Sequence, residues 1–200
     1  MTTISRATRV AFQGELGAFS EEGAQQLWGP GVEAVSYRAF DDATRAVERA
    51  DVDLALLPIE NTLAGSVVGS YDALVEAPTL HVVAQTVVSI HHCVLAKPGV
   101  ALDALHTVHS HPVALAQCGR WLRAHPAITP RAAYDTAGAA RDVAESDDPT
   151  MAAIAGRAAA ARYGLEIVAV DVEDRPDNQT RFLAVARQPA ALPDGRAVRT

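Results

Sequence analysis

The stretch TLHVVAQTVVSIHHCVLA, residues 79–96, runs for eighteen positions without a glycine or a proline. Its valines, isoleucine and threonines favour extended backbone, yet it is about three times the length of an average strand. We read it as one or two long strands carrying the chain from one sheet into another. That reading divides the molecule into two lobes, with a cleft where the chain crosses.

The flanking sequence agrees with this division. Before the crossing, strand-like RVAFQ (9–13), VEAVSY (32–37) and VDLALLPI (52–59) alternate with helix-like EEGAQQLW (21–28), ATRAVERA (43–50) and GSYDALVEA (69–77). Ser20 stands as the N-cap of the first helix, and Asp41 or Asp42 starts the second. After Pro98 and Gly99 a helix start at Leu102 is followed by strands at 106–110, 131–135, 150–155 and 166–170, with helices at 112–124, 137–146 and 156–164 between them. RFLAVAR (181–187) is the last strand. Alternation at this spacing predicts an α/β protein with mainly parallel sheets.

Bulk properties exclude several classes of function. The 200 residues are 49% hydrophobic with a net charge of −7 and a pI near 5.4, so a nucleic-acid or anionic-membrane surface is disfavoured and a small-molecule partner is expected. Cys93 and Cys118, the only cysteines, form no short-spaced motif, which fits a reduced, cytoplasmic setting. The N-terminal decapeptide lacks a signal-peptide core, and no stretch approaches a membrane span.

Ligands of open α/β folds sit beyond the carboxyl ends of strands, so the chemistry belongs at the strand-to-helix junctions: 14–20, 58–66, 110–112, 134–137 and the entry to the last strand at Thr180. QGELGAFSEE (13–22) has helix-start glycines but lacks a dinucleotide fingerprint. PIENTLAGS (58–66) concentrates Glu60, Asn61, Thr62 and Ser66 where a buried strand emerges. In SHPVALAQC (110–118) Ser110 is a natural N-cap, and Gln117 is an amide on an otherwise apolar helix. DNQTRFLAVAR (177–187) enters its strand through Gln179, Thr180 and Arg181 after the turn-forming pair Asp177 and Asn178. His91, His92, His109 and His111 are not spaced as metal ligands, and no G-x-S-x-G elbow occurs, so neither a metal, a cofactor nor a serine triad is expected.

Six blocks, VAFQGELGAFSEEGA, LALLPIENTLAGSV, SHPVALAQC, YDTAGAARDVA, AAIAGRAAAARYGL and DNQTRFL, resemble the prephenate dehydratases and the related plant-type arogenate dehydratases, in order from about residue 9 to 187. The most specific element is Asn-x-Thr-Arg-Phe. The resemblance implies a two-lobe fold of the periplasmic-binding-protein-like type II kind, a single catalytic domain over 1–200 with lobe 1 at about 1–85 plus 178–200 and lobe 2 at about 86–177. It implies dehydration of prephenate to phenylpyruvate in phenylalanine biosynthesis, with Thr180 as the catalytic residue and Glu60, Asn61, Ser66, Ser110, Gln117 and Arg181 as substrate-binding residues. It further implies a cofactor-free lyase, expected to be a homodimer. Arogenate dehydratase, a non-aromatising prephenate decarboxylase and a non-catalytic solute-binding protein are the alternatives.

Many family members carry a phenylalanine-binding ACT module after the catalytic domain. QPAALPDGRAVRT (188–200) has no apolar periodicity, so no ACT domain is expected in this chain. The expected outcome is that millimolar phenylalanine leaves activity unchanged, as a progress curve with and without it would show; cooperative inhibition at micromolar phenylalanine is the contrary result.

Overall fold

The structure is a computed structural model that describes residues 8–189. The first lobe is built from β1 (Arg9–Gln13), α1 (Phe19–Trp28), β2 (Glu33–Tyr37), α2 (Phe40–Glu48), β3 (Leu54–Asn61), the short β4 (Gly65–Ser66), α3 (Val68–Glu76) and β5 (His81–Ser89). The chain then crosses and forms β6 (Cys93–Ala96), a 3-10 turn at Leu102–Ala104, β7 (Thr107–Ser110), α4 (Pro112–Gln117), α5 (Gly119–Ala124), β8 (Thr129–Ala132), α6 (Thr136–Glu145), β9 (Met151–Ala155), α7 (Arg157–Tyr163) and β10 (Glu166–Ala169). It returns as β11 (Gln179–Ala186), which lies between β3 and β5. The sheets are ordered β2-β1-β3-β11-β5, with β4 on β3, and β10-β6-β9-β7-β8.

The near-continuous apolar run of β3 is explained by helices on both faces of its sheet. Leu56 packs with Ala24 of α1, Val88 and Phe182, while Leu57 and Ile59 pack with Ala43, Ala46 and Val47 of α2. Successive residues point to opposite faces, so a strand covered twice must be apolar throughout. Each sheet is mixed. Parallel pairing holds for β2-β1-β3 and β9-β7-β8, whereas the strands next to the crossings, β5, β6, β10 and β11, pair antiparallel because the chain enters and leaves there.

β5 stays in the first sheet as far as Ser89, beyond the expected boundary near residue 86. The two crossing segments, 90–92 and 170–178, are bonded to each other: Val172 N–H donates to the His92 carbonyl (3.0 Å), His92 N–H to Glu173 Oε2 (2.9 Å), and Ile90 N–H to the Asn178 carbonyl (2.8 Å).

Helices α1 and α2 start earlier than the sequence suggests, and the helix expected over 112–124 is interrupted. Helix α1 begins at Phe19 with Ala18 in the capping position, because the Glu21 carboxylate reaches back to Gly17 N–H (2.6 Å); Ser20 is buried in the first turn. Helix α2 begins at Phe40, behind Ala39. The single helix expected over 112–124 breaks at Cys118, where Asp174 from the second crossing accepts from Arg120 N–H (2.7 Å) and its own N–H donates to the Gln117 carbonyl (2.6 Å). The inserted carboxylate caps the second half, and the backbone N–H of the same residue satisfies the carbonyl at the end of the first.

The β1–α1 junction carries several contacts between the lobes. Tyr163 Oη donates to the Leu16 carbonyl (2.7 Å), Arg141 pairs with Glu15 (2.6 Å), and Gln13 Nε2 donates to Tyr134 Oη (3.0 Å). Gly17 has φ +90°, and a Cβ there would stand 2.9 Å from the Ala159 Cα on α7. Gly17→Ala is therefore strained in backbone and blocked by backbone across the lobes. We expect it to destabilise the protein by about 1–3 kcal/mol, read as a lower midpoint in denaturant unfolding.

Candidate active site

A cavity of about 830 Å3 lies between the lobes, within the size range of small-molecule sites. All five strand-to-helix junctions contribute to its walls, through Gly14, Ser20, Asn61, Ser66, His111, Asp135 and Thr180 among others. Apolar surface comes from Phe19, Ile90, Ala114 and Phe182.

The strand register explains which side chains reach the cavity. Thr180 lies opposite Asn61, and Arg181 opposite Glu60, across β3 and β11. Side chains alternate along a strand, so Asn61 and Thr180 share the cleft face and the next pair turns away. Glu60 and Arg181 are exposed, pair with each other at 3.3 Å, and do not line the cavity.

A chain of amides links the lobes at this point. Asn61 Oδ1 accepts from the N–H groups of Leu63 (3.0 Å) and Ala64 (2.9 Å), which folds the end of β3 into a turn. Its Nδ2 donates to Asn178 Oδ1 (2.8 Å), Thr180 Oγ1 (2.9 Å) and the Gln179 carbonyl (3.1 Å). Asn178 is fully buried and donates through Nδ2 to Gln117 Oε1 (3.0 Å). Gln117 Nε2 donates to Asn61 Oδ1 (3.4 Å), closing the ring of three amides. His92, 2% exposed, donates from Nε2 to the same Gln117 oxygen (3.2 Å) and lies edge-on to Phe19. With its oxygen occupied by an amide hydrogen, the Thr180 hydroxyl is left with its own hydrogen to donate.

Of the residues singled out from the sequence, Asn61, Ser66, Gln117 and Thr180 line the cavity. Ser110 does not: it is completely buried, and its hydroxyl donates to the Ile154 carbonyl (2.6 Å). The cap of α4 is His111, whose Nδ1 accepts from Val113 N–H (3.2 Å). Three contributors escaped sequence reasoning. Asn178 reads there as a turn former and His92 as a rejected metal ligand, and Arg38 was not singled out. Arg38 is the only arginine or lysine among the described residues lining the cavity, and its guanidinium lies over the Tyr134 ring, 5.9 Å from the centroid.

Burial dominates the electrostatics of the site. It lowers the His92 imidazole below its ordinary value, opposed by the hydrogen bond to Gln117 and the charge of Glu173. It raises the Asp135 carboxyl, opposed by the Gly138 N–H at the start of α6. Among the described residues one trio could offer ligands to a metal ion, His91, Asp171 and Glu173, and it sits on the crossings outside the cavity lining.

The family model described as prephenate dehydratase matches residues 10–190. The chain is 45% identical over 192 residues to "Arogenate dehydratase/prephenate dehydratase 2, chloroplastic" of Arabidopsis thaliana, covering 96% of this chain and 50% of that protein. Among solved structures, a prephenate dehydratase from Arthrobacter aurescens in complex with L-Phe superposes with a TM-score of 0.85 at 32% identity, over 94% of this chain and 63% of that one. A protein described as GqqA, a quorum-quenching acylase, superposes with a TM-score of 0.83 at 37% identity, over 92% of this chain and 66% of the other. The chain spans about half the length of the curated relatives it matches.

The buried imidazole makes a pH prediction. In the unfolded chain His92 takes up a proton near pH 6.5, while the folded protein resists it until lower pH. Its contribution to stability is thus complete above about pH 6.5 and is lost as pH falls below that value. Denaturant midpoints at pH 7.5 and 5.5 should show a drop on acidification that is smaller in His92→Gln.

Proposed function

The chain belongs to the prephenate dehydratase family, and from that premise we propose that it catalyses decarboxylating dehydration of prephenate to phenylpyruvate. The observation that carries the reading is Thr180, whose oxygen is held by the Asn61 amide so that its hydroxyl hydrogen is free for the cleft. Prephenate is a cyclohexadienol with a ring carboxylate and a pyruvyl side chain. As the carboxylate leaves as carbon dioxide, its bonding electrons move through the diene and expel the ring hydroxyl, which departs as water once it has gained a proton. Aromatisation drives the reaction, and hydroxide departure is the kinetic obstacle. A fixed hydroxyl donor at that oxygen lowers it.

The rest of the cleft supports this reading. Arg38 provides a cation for a substrate carboxylate. The start of α3, with Ser66, Val67 and Gly69 on the cavity wall, has neither a side-chain cap nor an acid in its first turn, so its N–H groups suit an anion. Apolar walls at Phe19, Ile90 and Phe182 suit the ring and disfavour a charged carboxylate over neutral carbon dioxide. Glu60 and Arg181 act as a cross-strand clamp beside Asn61 and Thr180, and Ser110 as a structural hydroxyl. Among the described residues no basic side chain hydrogen-bonds Thr180, so the nucleophile and base of an acyl hydrolase are not assembled there.

Arogenate, which carries an amino group in place of the keto group, undergoes the same elimination and is the second reading, favoured by the name of the plant relative. We assign a single two-lobed catalytic unit in a reducing, cytoplasmic setting, supported by two free and buried cysteines, with burial pushing the Cys118 thiol up to about 12. A homodimer is supported by exposed apolar side chains on two elements consecutive in the chain, Val68, Tyr71 and Val75 of α3 and Val82 and Val87 of β5.

Purified protein mixed with prephenate should form phenylpyruvate. Thr180→Ala should fold and bind substrate while losing turnover by about 10²- to 10³-fold, and Thr180→Ser should keep part of it. Near-normal turnover by Thr180→Ala would refute the role. A non-aromatic product would point to a decarboxylase, and binding without turnover to a solute receptor.

A further inference from the structure

Tyr134 reaches across the mouth of the cleft, and the elimination gives it no part. It stands in the second lobe between β8 and α6, is 56% exposed and lines the cavity, which places it at the rim. Its hydroxyl donates to the Arg38 carbonyl and accepts from Gln13 Nε2 (3.0 Å), so its one hydrogen is spent on the first lobe. Gln13 and Tyr37 are register partners at the carboxyl ends of the parallel strands β1 and β2, and Arg38 follows at once. A single side chain of the second lobe thus holds the ends of two adjacent strands of the first, where ligands of such folds bind.

The same ring holds the head of Arg38. The guanidinium lies over it at 5.9 Å from the centroid, within range of a cation–π contact. Among the described residues this guanidinium has no carboxylate partner. A carboxylate would neutralise the charge and occupy the N–H fork, whereas an aromatic face restrains the group and leaves its donors for a ligand. The difference matters because Arg38 is the only arginine or lysine among the described residues lining the cavity, in a chain of net charge −7. An exposed arginine samples many rotamers, and ordering it in advance lowers the cost of binding an anion.

We propose that Tyr134 is a positioning residue that acts through Arg38, orienting the guanidinium toward a substrate carboxylate when the lobes are together. The proposal rests on the dehydratase reading of the cleft, in which the substrate carries two carboxylates. Tyr134 touches no reacting atom in this scheme, so its effect falls on binding and not on the chemical step.

The test is a double-mutant cycle of Tyr134→Leu and Arg38→Gln, with kcat and KM measured for prephenate and arogenate. On the substrate that the wild type turns over, Tyr134→Leu should raise KM about 5- to 20-fold, leave kcat within about 2-fold and melt within a few degrees of the wild type. In the Arg38→Gln background the same substitution should add less than about 2-fold, because the group it positions is already gone. Tyr134→Phe, which keeps the ring beneath Arg38 and loses the hydroxyl, should show a smaller rise, and it carries the same comparison should the leucine variant fail to fold. An equal rise in KM in both backgrounds would show that Tyr134 acts independently of Arg38 and overturn the proposal, as would an unchanged KM or a loss confined to kcat. Turnover of neither substrate by the wild type would instead remove the dehydratase reading, and the proposal with it.

Discussion

A buried amide must find partners inside the protein, and Asn178 finds one in each lobe. Its oxygen is bound by Asn61 at the end of β3, and its nitrogen reaches Gln117 at the end of α4. Asn61 in turn holds the oxygen of Thr180, so one fully buried residue ties the Thr180 hydroxyl to the first lobe and to an amide of the second. The break in the helix after Gln117, the two bonded crossings and the insertion of β11 between β3 and β5 all serve to bring these groups into contact. Replacing any amide with an apolar side chain leaves another buried polar group unpaired, which costs more than the bond itself.

The large features were legible in the sequence because they depend on local pattern. Apolar LALLPI at the heart of β3 could only be a strand covered on both faces, and the break-free run from 79 to 96 does contain the crossing. Asn61 and Thr180 stood out as polar groups at the mouths of apolar strands. What failed depended on relationships between distant segments. Whether Glu60 or Asn61 faces the cleft is decided by pairing with β11, and the fate of Ser110 by the Ile154 carbonyl of another strand. Helix starts were misread for the same reason: Glu21 and Asp174 supply from later positions what Ser20 and an unbroken helix would otherwise have provided. Asn178 was hidden by its company, since an Asp-Asn pair before a strand has the composition of any turn.

Cationic charge is sparse at the cleft of a protein that carries a net negative charge. One arginine and the uncapped start of a helix face the cavity, while Arg45, Arg141, Arg175 and Arg181 are bound to carboxylates elsewhere. Any attraction the cleft exerts on an anion is therefore local and oriented, which discriminates between ends of a molecule better than a diffuse positive surface would.

The closing contact of the amide ring, Gln117 to Asn61, is its longest at 3.4 Å, and it is also the bond that spans the lobes directly. An arrangement of side chains shared between two lobes is complete only while the lobes are together. On the proposed function, the affinity an experiment records would be the intrinsic affinity scaled by the closed fraction, and each turnover would include re-opening to release the product. Substitutions far from the ring, along 90–92 or 170–178, thus gain a route to change both affinity and rate by shifting that fraction alone.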